Sequence, residues 1–288
     1  MQHDGAAMPG EREFEFSGND FSRVCRLIHA RAGIALADSK RQMVYSRLGR
    51  RLRALGLASF RSYLDRLQSL RDDDEEWQSF TNALTTNLTA FFREPHHFEI
   101  LGRFLAQRAN RGTQRIWCTA ASTGEEPYTL ALTACEALGS DAPAVEILCS
   151  DVDTQVLATA ELGVYPMERA QPLSPEQLRG FFMRGCGPHE GQMRVKPLLQ
   201  SLVDFRQINL LEADYGLRGP FDAIFCRNVM IYFDKPTQRE ILARFRPLLA
   251  PDGLLFAGHS ESFFHAADLF RSCGRTVYSR ADGPAADL

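Results

Sequence analysis

Apolar positions in this chain follow two different periods, and the change between them divides it. Between residues 20 and 71 the spacing is helical. Val44, Leu48, Leu52 and Leu55 fall on one face, Arg47, Arg50 and Arg53 on an adjacent stripe, and Gly56 ends the helix. Further on, short apolar runs alternate with helical stretches. Ile116-Trp117-Cys118 reads as a buried strand, residues 120–124 as a tight turn, and Leu130, Ala131 and Leu132 as the start of a helix's apolar side. Ser122 with Glu125, or Thr123 with Glu126, has capping-box spacing, and Pro127 suits a first helical turn. Strands follow at 145–150, 203–209, 221–226, 254–257 and 276–279, with a helix at 238–249 and a Pro251-Asp252-Gly253 turn behind it. This alternation predicts an α/β fold built on a Rossmann-like doubly wound sheet.

Residues 166–205 interrupt that rhythm. Leu173-Ser174-Pro175-Glu176 opens a short helix, and the stretch 181–203 alternates around Gly/Pro turns, which predicts short antiparallel strands. The segment is too long for an ordinary connection, so a small antiparallel β insertion is expected there. The predicted layout is a disordered tail at 1–18, a basic helical domain at 19–86, a linker at 87–98, and the main domain at 99–288.

Composition narrows the class. A chain of 288 residues with 44% hydrophobic content can bury a sizeable core. Its seven cysteines include no C-x-x-C pair, which argues for reduced thiols rather than a disulfide framework or zinc cluster. The adjacent His96 and His97 would face two directions on a helix, so they read as structural and no metal is expected. With no signal-peptide core and no apolar run of membrane-span length, a soluble cytoplasmic protein is expected. Net charge is only −3, yet residues 21–71 hold twelve Lys or Arg against two acids. So many uncompensated charges on a small domain imply an acidic partner rather than a merely solvated face.

The strand ends carry the candidate chemistry. The turn 120–124, Asp151, Asn209 and Asn228 would line one edge of the sheet, where such folds bind nucleotides. Asp151 ends the second strand, placed to accept hydrogen bonds from ribose hydroxyls, while Asp153 suits the N-cap of the next helix. A nicotinamide dehydrogenase would need a richer glycine loop than Gly124 alone supplies. A nucleotide-sugar enzyme and an S-adenosyl-L-methionine methyltransferase also suit the fold, and the Pro-Asp-Gly turn with a hairpin-like C-terminus suits the latter.

Five blocks then carry a resemblance: 87–98, 120–128, 150–153, 221–233 (Phe-Asp-Ala-Ile-Phe-Cys-Arg-Asn-Val-Met-Ile-Tyr-Phe) and Gly258-His259-Ser260-Glu261. Together they resemble the chemotaxis receptor glutamate O-methyltransferases, the CheR family, over about residues 20–280. The resemblance implies a class I S-adenosylmethionine-dependent methyltransferase domain, an N-terminal helical domain and an inserted β subdomain. It implies methyl transfer from S-adenosyl-L-methionine to glutamate side chains of methyl-accepting chemotaxis receptors, leaving S-adenosyl-L-homocysteine. By the same resemblance, Asn87, Thr89 and Arg93 lie against the cofactor and Glu126 approaches its cationic end. Asp151 holds the ribose, Asn209 and Leu210 border the adenine, Arg227 with Asn228 closes the pocket, and Gly124 is among the cofactor-binding residues. Arg93 and Tyr232 fall near the transferred methyl.

A glutamate carboxylate is already ionised near neutral pH, so no general base is required. The basic stripe of Arg47, Arg50 and Arg53 suits glutamate-rich receptor helices. Arg184, Gly185 and Gly187 lie in the loop where some members grip a receptor C-terminal peptide, and recruitment to membrane receptor arrays follows from that partner. The competing reading is a nucleic-acid methyltransferase using the stripe on phosphates. It lacks interleaved aromatics and an Asn-Pro-Pro-Tyr base pocket, so no nucleic acid is expected. A non-enzymatic cofactor sensor would need a disabled pocket, of which the sequence shows no sign.

Overall fold

The computed structural model describes residues 13–139 and 143–284, in two compact units that divide between Thr85 and Thr86. The expected disorder at 1–12 lies outside the described residues, as do residues 140–142 and 285–288.

The first unit is helical: α1 (Gly18–Ala32), α2 (Arg41–Ala54), α3 (Phe60–Ser69) and α4 (Glu75–Leu84). Ser17 and Asp20 form a capping box at the start of α1, and Asp74 caps α4. The apolar face read from the sequence is present, with Val44, Leu48 and Leu52 fully buried against Phe60, Leu64 and Phe80. The tail expected to be disordered through residue 18 is ordered from residue 13. Phe14 and Phe16 pack onto Phe60, the second at a 4.3 Å ring separation. Two aromatics spaced for one face outweigh the polar composition around them.

The second unit holds a three-layer α/β domain. Its elements are α5 (His96–Gln107), β1 (Gln114–Cys118), α6 (Glu125–Leu138), β2 (Val145–Asp151), α7 (Thr154–Leu162), β3 (Val164–Pro166), α8 (Pro175–Phe181), β4 (Phe182–Arg184), β5 (Gln192–Val195), α9 (Pro197–Gln200), β6 (Val203–Gln207), β7 (Phe221–Cys226), α10 (Lys235–Leu248), β8 (Leu249–Ala257), β9 (Phe270–Gly274) and β10 (Val277–Arg280). Seven strands form one sheet in the order β6-β2-β1-β7-β8-β10-β9. The first five of that order run parallel, and β10 is antiparallel to both neighbours. This is the class I methyltransferase arrangement expected above.

Side chains of β1 show why the sheet is covered twice. Ile116 and Cys118 enter the core shared with α5 and α6, while Trp117 points to the other face and meets Phe245 of α10 at 5.1 Å. Strand order reverses between β1 and β7, so the carboxyl ends of these strands flank the crevice where doubly wound folds take ligands.

The insertion forms a second, three-stranded antiparallel sheet in the order β3-β5-β4. Residues 197–200, expected to be extended, are helical instead, because Pro197 occupies a first-turn position where its missing N–H costs nothing. Pro251-Asp252-Gly253 is an irregularity within β8 rather than a turn before it. Gly253 is needed there, since a Cβ would lie 2.9 Å from the Asp222 carbonyl oxygen.

Candidate active site

Neither expected capping box forms at α6. Gly124 itself is the N-cap, in the left-handed region at φ 98°, and no side chain caps the helix. Ser122 instead donates its hydroxyl to the Asn87 carbonyl, and Thr123 donates to the Glu125 carboxylate. A Cβ on Gly124 would lie 2.6 Å from the Tyr165 hydroxyl and 2.9 Å from Ala160 Cβ. The glycine is thus set by close approach of α7 and the insertion as well as by its backbone.

Asp151 ends β2 directly beside this turn. Its Oδ2 accepts from the Ser122 amide at 2.9 Å and its Oδ1 from the Asp153 amide at 3.0 Å. Burial pushes the Asp151 carboxyl up to about 6, although both amides pull the other way. Each oxygen keeps a lone pair beyond these bonds, so the group can still accept from a ligand. Asp153 caps α7 as expected, accepting from the amides of Gln155 and Val156.

Residues 86–95 contain no helix or strand, and their course over the sheet edge is set by pins from five directions. Asn87 donates to Asp153 (2.8 Å), and the Phe92 amide donates to Thr129 of α6 (3.3 Å). Arg169 Nη1 donates to the Thr89 carbonyl (3.0 Å), Arg227 donates to the Arg93 carbonyl, and Phe91 packs between Tyr165 and Phe182 of the insertion. The Arg93 guanidinium turns back onto the Leu88 carbonyl at 2.8 Å.

At the end of β7 the Arg227 side chain is wholly buried. It pairs with Glu126 at 2.5 Å and with Glu94 at 3.2 Å, and its guanidinium lies 5.5 Å from the Phe98 ring centre. Burial opposes the charge on Glu94, but the His259 hydrogen bond (2.9 Å) and the Arg227 charge prevail, bringing its carboxyl down to about 2. His97 lies behind, fully buried and neutral. Burial and the Arg227 charge lower it to about 4, and its Nε2 faces the Arg275 carbonyl at 2.9 Å. Asn228 adopts φ 58°, donating its side-chain amide to Glu94 (3.4 Å) and its backbone amide to Glu261 (2.9 Å). The Glu261 carboxylate also receives the amides of Gly258 (2.5 Å) and Met230 (2.8 Å), which holds the turn after β7 against the end of β8.

Six described non-glycine residues have positive φ, and all belong to this neighbourhood. They are Phe92 and Glu94 of the linker, Ser122, Asn228, and the Arg275–Thr276 turn that receives His97. Strained backbone of this kind persists where the surroundings over-determine it, commonly around a ligand site.

The structure therefore brings Asn87, Thr89, Arg93, Gly124, Glu126, Asp151, Arg227 and Asn228 to one end of the sheet. Asn209 sits just beyond β6, with its side-chain oxygen on the Leu211 amide. Leu210 differs: its side chain is in the core and its carbonyl is taken by Arg244 (2.7 Å) and Tyr215 (3.0 Å), leaving Asn209 the more accessible of the two. Tyr232 is half-buried on the single turn Met230–Tyr232 after β7.

The proposed partner-facing residues belong to the first unit and to the insertion. Arg47 caps the end of α4 through the carbonyls of Ala83 and Thr85, and Arg53 pairs with Glu13 at 3.0 Å. The stripe is narrower than its sequence spacing implies, since Arg47 is turned to backbone carbonyls, while Arg50 and the Glu13-paired Arg53 are exposed. Arg184, at the end of edge strand β4, is exposed. Gly185 packs so closely on the His189 carbonyl that no side chain could fit, and Gly187 opens the next turn at φ 56°. Glu94, His259 and Glu261 were not singled out from the sequence, although each lies inside a block that carries the resemblance.

Buried Glu126 and partly buried Glu94 thus share one guanidinium at the end of β7, and a third carboxylate, Asp151, ends β2 of the same sheet. The Arg227 Nε atom is buried without a hydrogen-bond partner. An excess of negative charge at a sheet switch point, with an acceptor for hydroxyls beside it, fits a nucleoside that carries positive charge. Fold and site together define an S-adenosylmethionine-dependent methyltransferase of class I. The family model for the CheR methyltransferase SAM binding domain matches residues 87–279, and the model for the CheR methyltransferase all-alpha domain matches residues 19–85. The chain belongs to the CheR methyltransferase family. It is 57% identical over 259 residues to the chemotaxis protein methyltransferase of Salmonella typhimurium, covering 90% of this chain and 89% of that one. It is 56% identical to the Escherichia coli protein of that name, covering 90% of each, and 55% identical to chemotaxis protein methyltransferase 2 of Pseudomonas aeruginosa, covering 94% and 96%.

Proposed function

We propose that this chain transfers a methyl group from S-adenosyl-L-methionine to glutamate side chains of methyl-accepting chemotaxis receptors, forming methyl esters in sensory adaptation. The observation that carries the reading is the carboxylate excess around Arg227 next to Asp151. It favours a cationic nucleoside.

When bound, the cofactor supplies a methyl carbon activated by a positively charged sulfur. Asp151 accepts the ribose hydroxyls, Asn209 borders the base, and Glu126 offers its carboxylate to the amino group while remaining tied to Arg227. The linker from Asn87 to Arg93 covers the nucleoside and excludes water. The acceptor carboxylate arrives ionised, so the chain needs only to align and desolvate it. Tyr232, on the turn beside Arg227 and Asn228, orients that carboxylate through its hydroxyl. Arg93 stays engaged with the Leu88 carbonyl, which keeps it from becoming a tight partner that would blunt the nucleophile.

The partner reading rests on charge and on an edge. Arg50 presents a cation to acidic receptor helices, and β4 offers an unpaired edge to a receptor C-terminal peptide. The receptor partner makes this a cytoplasmic enzyme recruited to membrane receptor arrays; no described helix is long and apolar enough to cross a membrane.

Asp151→Ala tests the cofactor half of this reading. Two hydrogen bonds to an ionised acceptor, each worth about 1.5–3 kcal/mol, imply a loss of about two orders of magnitude or more in S-adenosyl-L-homocysteine affinity with the fold intact. Unchanged affinity by calorimetry would remove Asp151 from the site.

A further inference from the structure

The β insertion touches the cofactor end of the sheet through one cation. Arg169 lies on the single turn Met167–Ala170 that follows β3, and its Nη1 reaches in two directions. It donates to the Thr89 carbonyl at 3.0 Å and pairs with Glu125 Oε1 at 3.3 Å. Glu125 is 1% exposed, in the first turn of α6, and its other oxygen accepts the Thr123 hydroxyl at 2.6 Å. Arg169 is itself about half exposed, at 48%. A half-solvated guanidinium thereby answers a buried carboxylate and fixes a linker that has no secondary structure of its own.

Tyr165, also from the insertion, donates to the Thr123 carbonyl at 2.8 Å and closes on Gly124. The insertion therefore holds both the β1–α6 turn and the linker that covers the nucleoside. Phe91 packs between Tyr165 and Phe182 further along the linker, but Leu88, between the Asn87 and Thr89 pins, is 77% exposed, so apolar packing does not hold the part before Phe91 in place. Hydrogen bonds and the Arg169 pair do.

We propose that Arg169 is a positioning residue for the cofactor, preorganising residues 88–93 from the insertion. The inference rests on the reading of this linker as the cover of the cofactor. With Arg169 removed, the linker loses the pin at the Thr89 carbonyl, part of its ordering moves to the moment of binding, and that cost falls on affinity. The same loss leaves Glu125 buried without its cation.

The test compares S-adenosyl-L-homocysteine binding by calorimetry for the full-length wild type, Arg169→Ala and Arg169→Lys, with no receptor present. Arg169→Ala should bind roughly tenfold more weakly, the loss of one charged contact, and Arg169→Lys should recover most of it. Amide exchange at Phe92 and Arg93 should rise in Arg169→Ala and return toward wild type when the ligand is saturating. Arg169→Gln, which keeps bulk and a donor but drops the charge, carries the same comparison if the alanine variant does not fold. Equal affinity across the variants, or a lowered melting temperature with unchanged affinity, would overturn the inference and make Arg169 a structural strut. Failure of the wild type itself to bind S-adenosyl-L-homocysteine would instead remove the cofactor reading underneath it.

Discussion

Asp151 and Tyr232 divide the proposed work between holding the cofactor and aligning the acceptor, and each can be tested alone. Burial raises the Asp151 carboxyl to about 6 from an ordinary value near 3.8. Between those values the folded chain holds a proton that the unfolded chain has lost, so this group's contribution to stability falls as pH rises through the window. Ligand binding runs the other way, because ribose hydroxyls need the ionised acceptor. S-adenosyl-L-homocysteine affinity should be flat above pH 7 and fall by up to about tenfold per pH unit below 6. Calorimetry between pH 5 and 8 checks this, with a pH-independent affinity as the contrary result. Tyr232→Phe deletes only the hydroxyl, so methylation rate should drop while cofactor affinity stays nearly unchanged. A wild-type rate would assign Tyr232 to packing.

The helix α2, the linker and the insertion show where pattern reading succeeds and where it stops. Apolar spacing located the buried face of α2, because burial at Val44, Leu48 and Leu52 follows a fixed helical period. The same spacing could not say which arginines face a partner, since Arg47 finds its acceptors at the end of α4, 36 and 38 residues away. Arg50→Glu should therefore raise the KM for receptor about two- to fivefold and leave S-adenosyl-L-homocysteine affinity unchanged, with raised salt weakening the wild type in the same direction. Arg47→Ala should instead lower the melting temperature. Salt-independent methylation by Arg50→Glu at the wild-type rate would return the stripe to a solvated face. At α6, two capping boxes with correct spacing failed to form. Ser122 and Thr123 were drawn to Asn87 and Glu125 by contacts that only the assembled turn creates. Strand ends were legible because apolar runs mark them. The network of Glu94, His259 and Glu261 was not, because Glu94 lies 165 residues from His259 and shares no period with it.

For the molecule as a whole, the parallel sheet with its reversed edge supplies the crevice, and the long-range pairs close it. Phe14 and Phe16 show that composition alone underestimates order at the N-terminal side, where two buried rings suffice to fix a polar segment. What the fold leaves open is the acceptor, since a class I sheet serves many methyl acceptors and the chemistry resides in its rim. The direct measurement is incubation of the chain with methyl-labelled S-adenosyl-L-methionine and receptor cytoplasmic fragments, followed by mild alkali. The proposed reaction predicts label on the receptor fragment that alkali releases as methanol, because a glutamate methyl ester is base-labile. Alkali-stable label, or label that follows added nucleic acid instead of receptor, would contradict it.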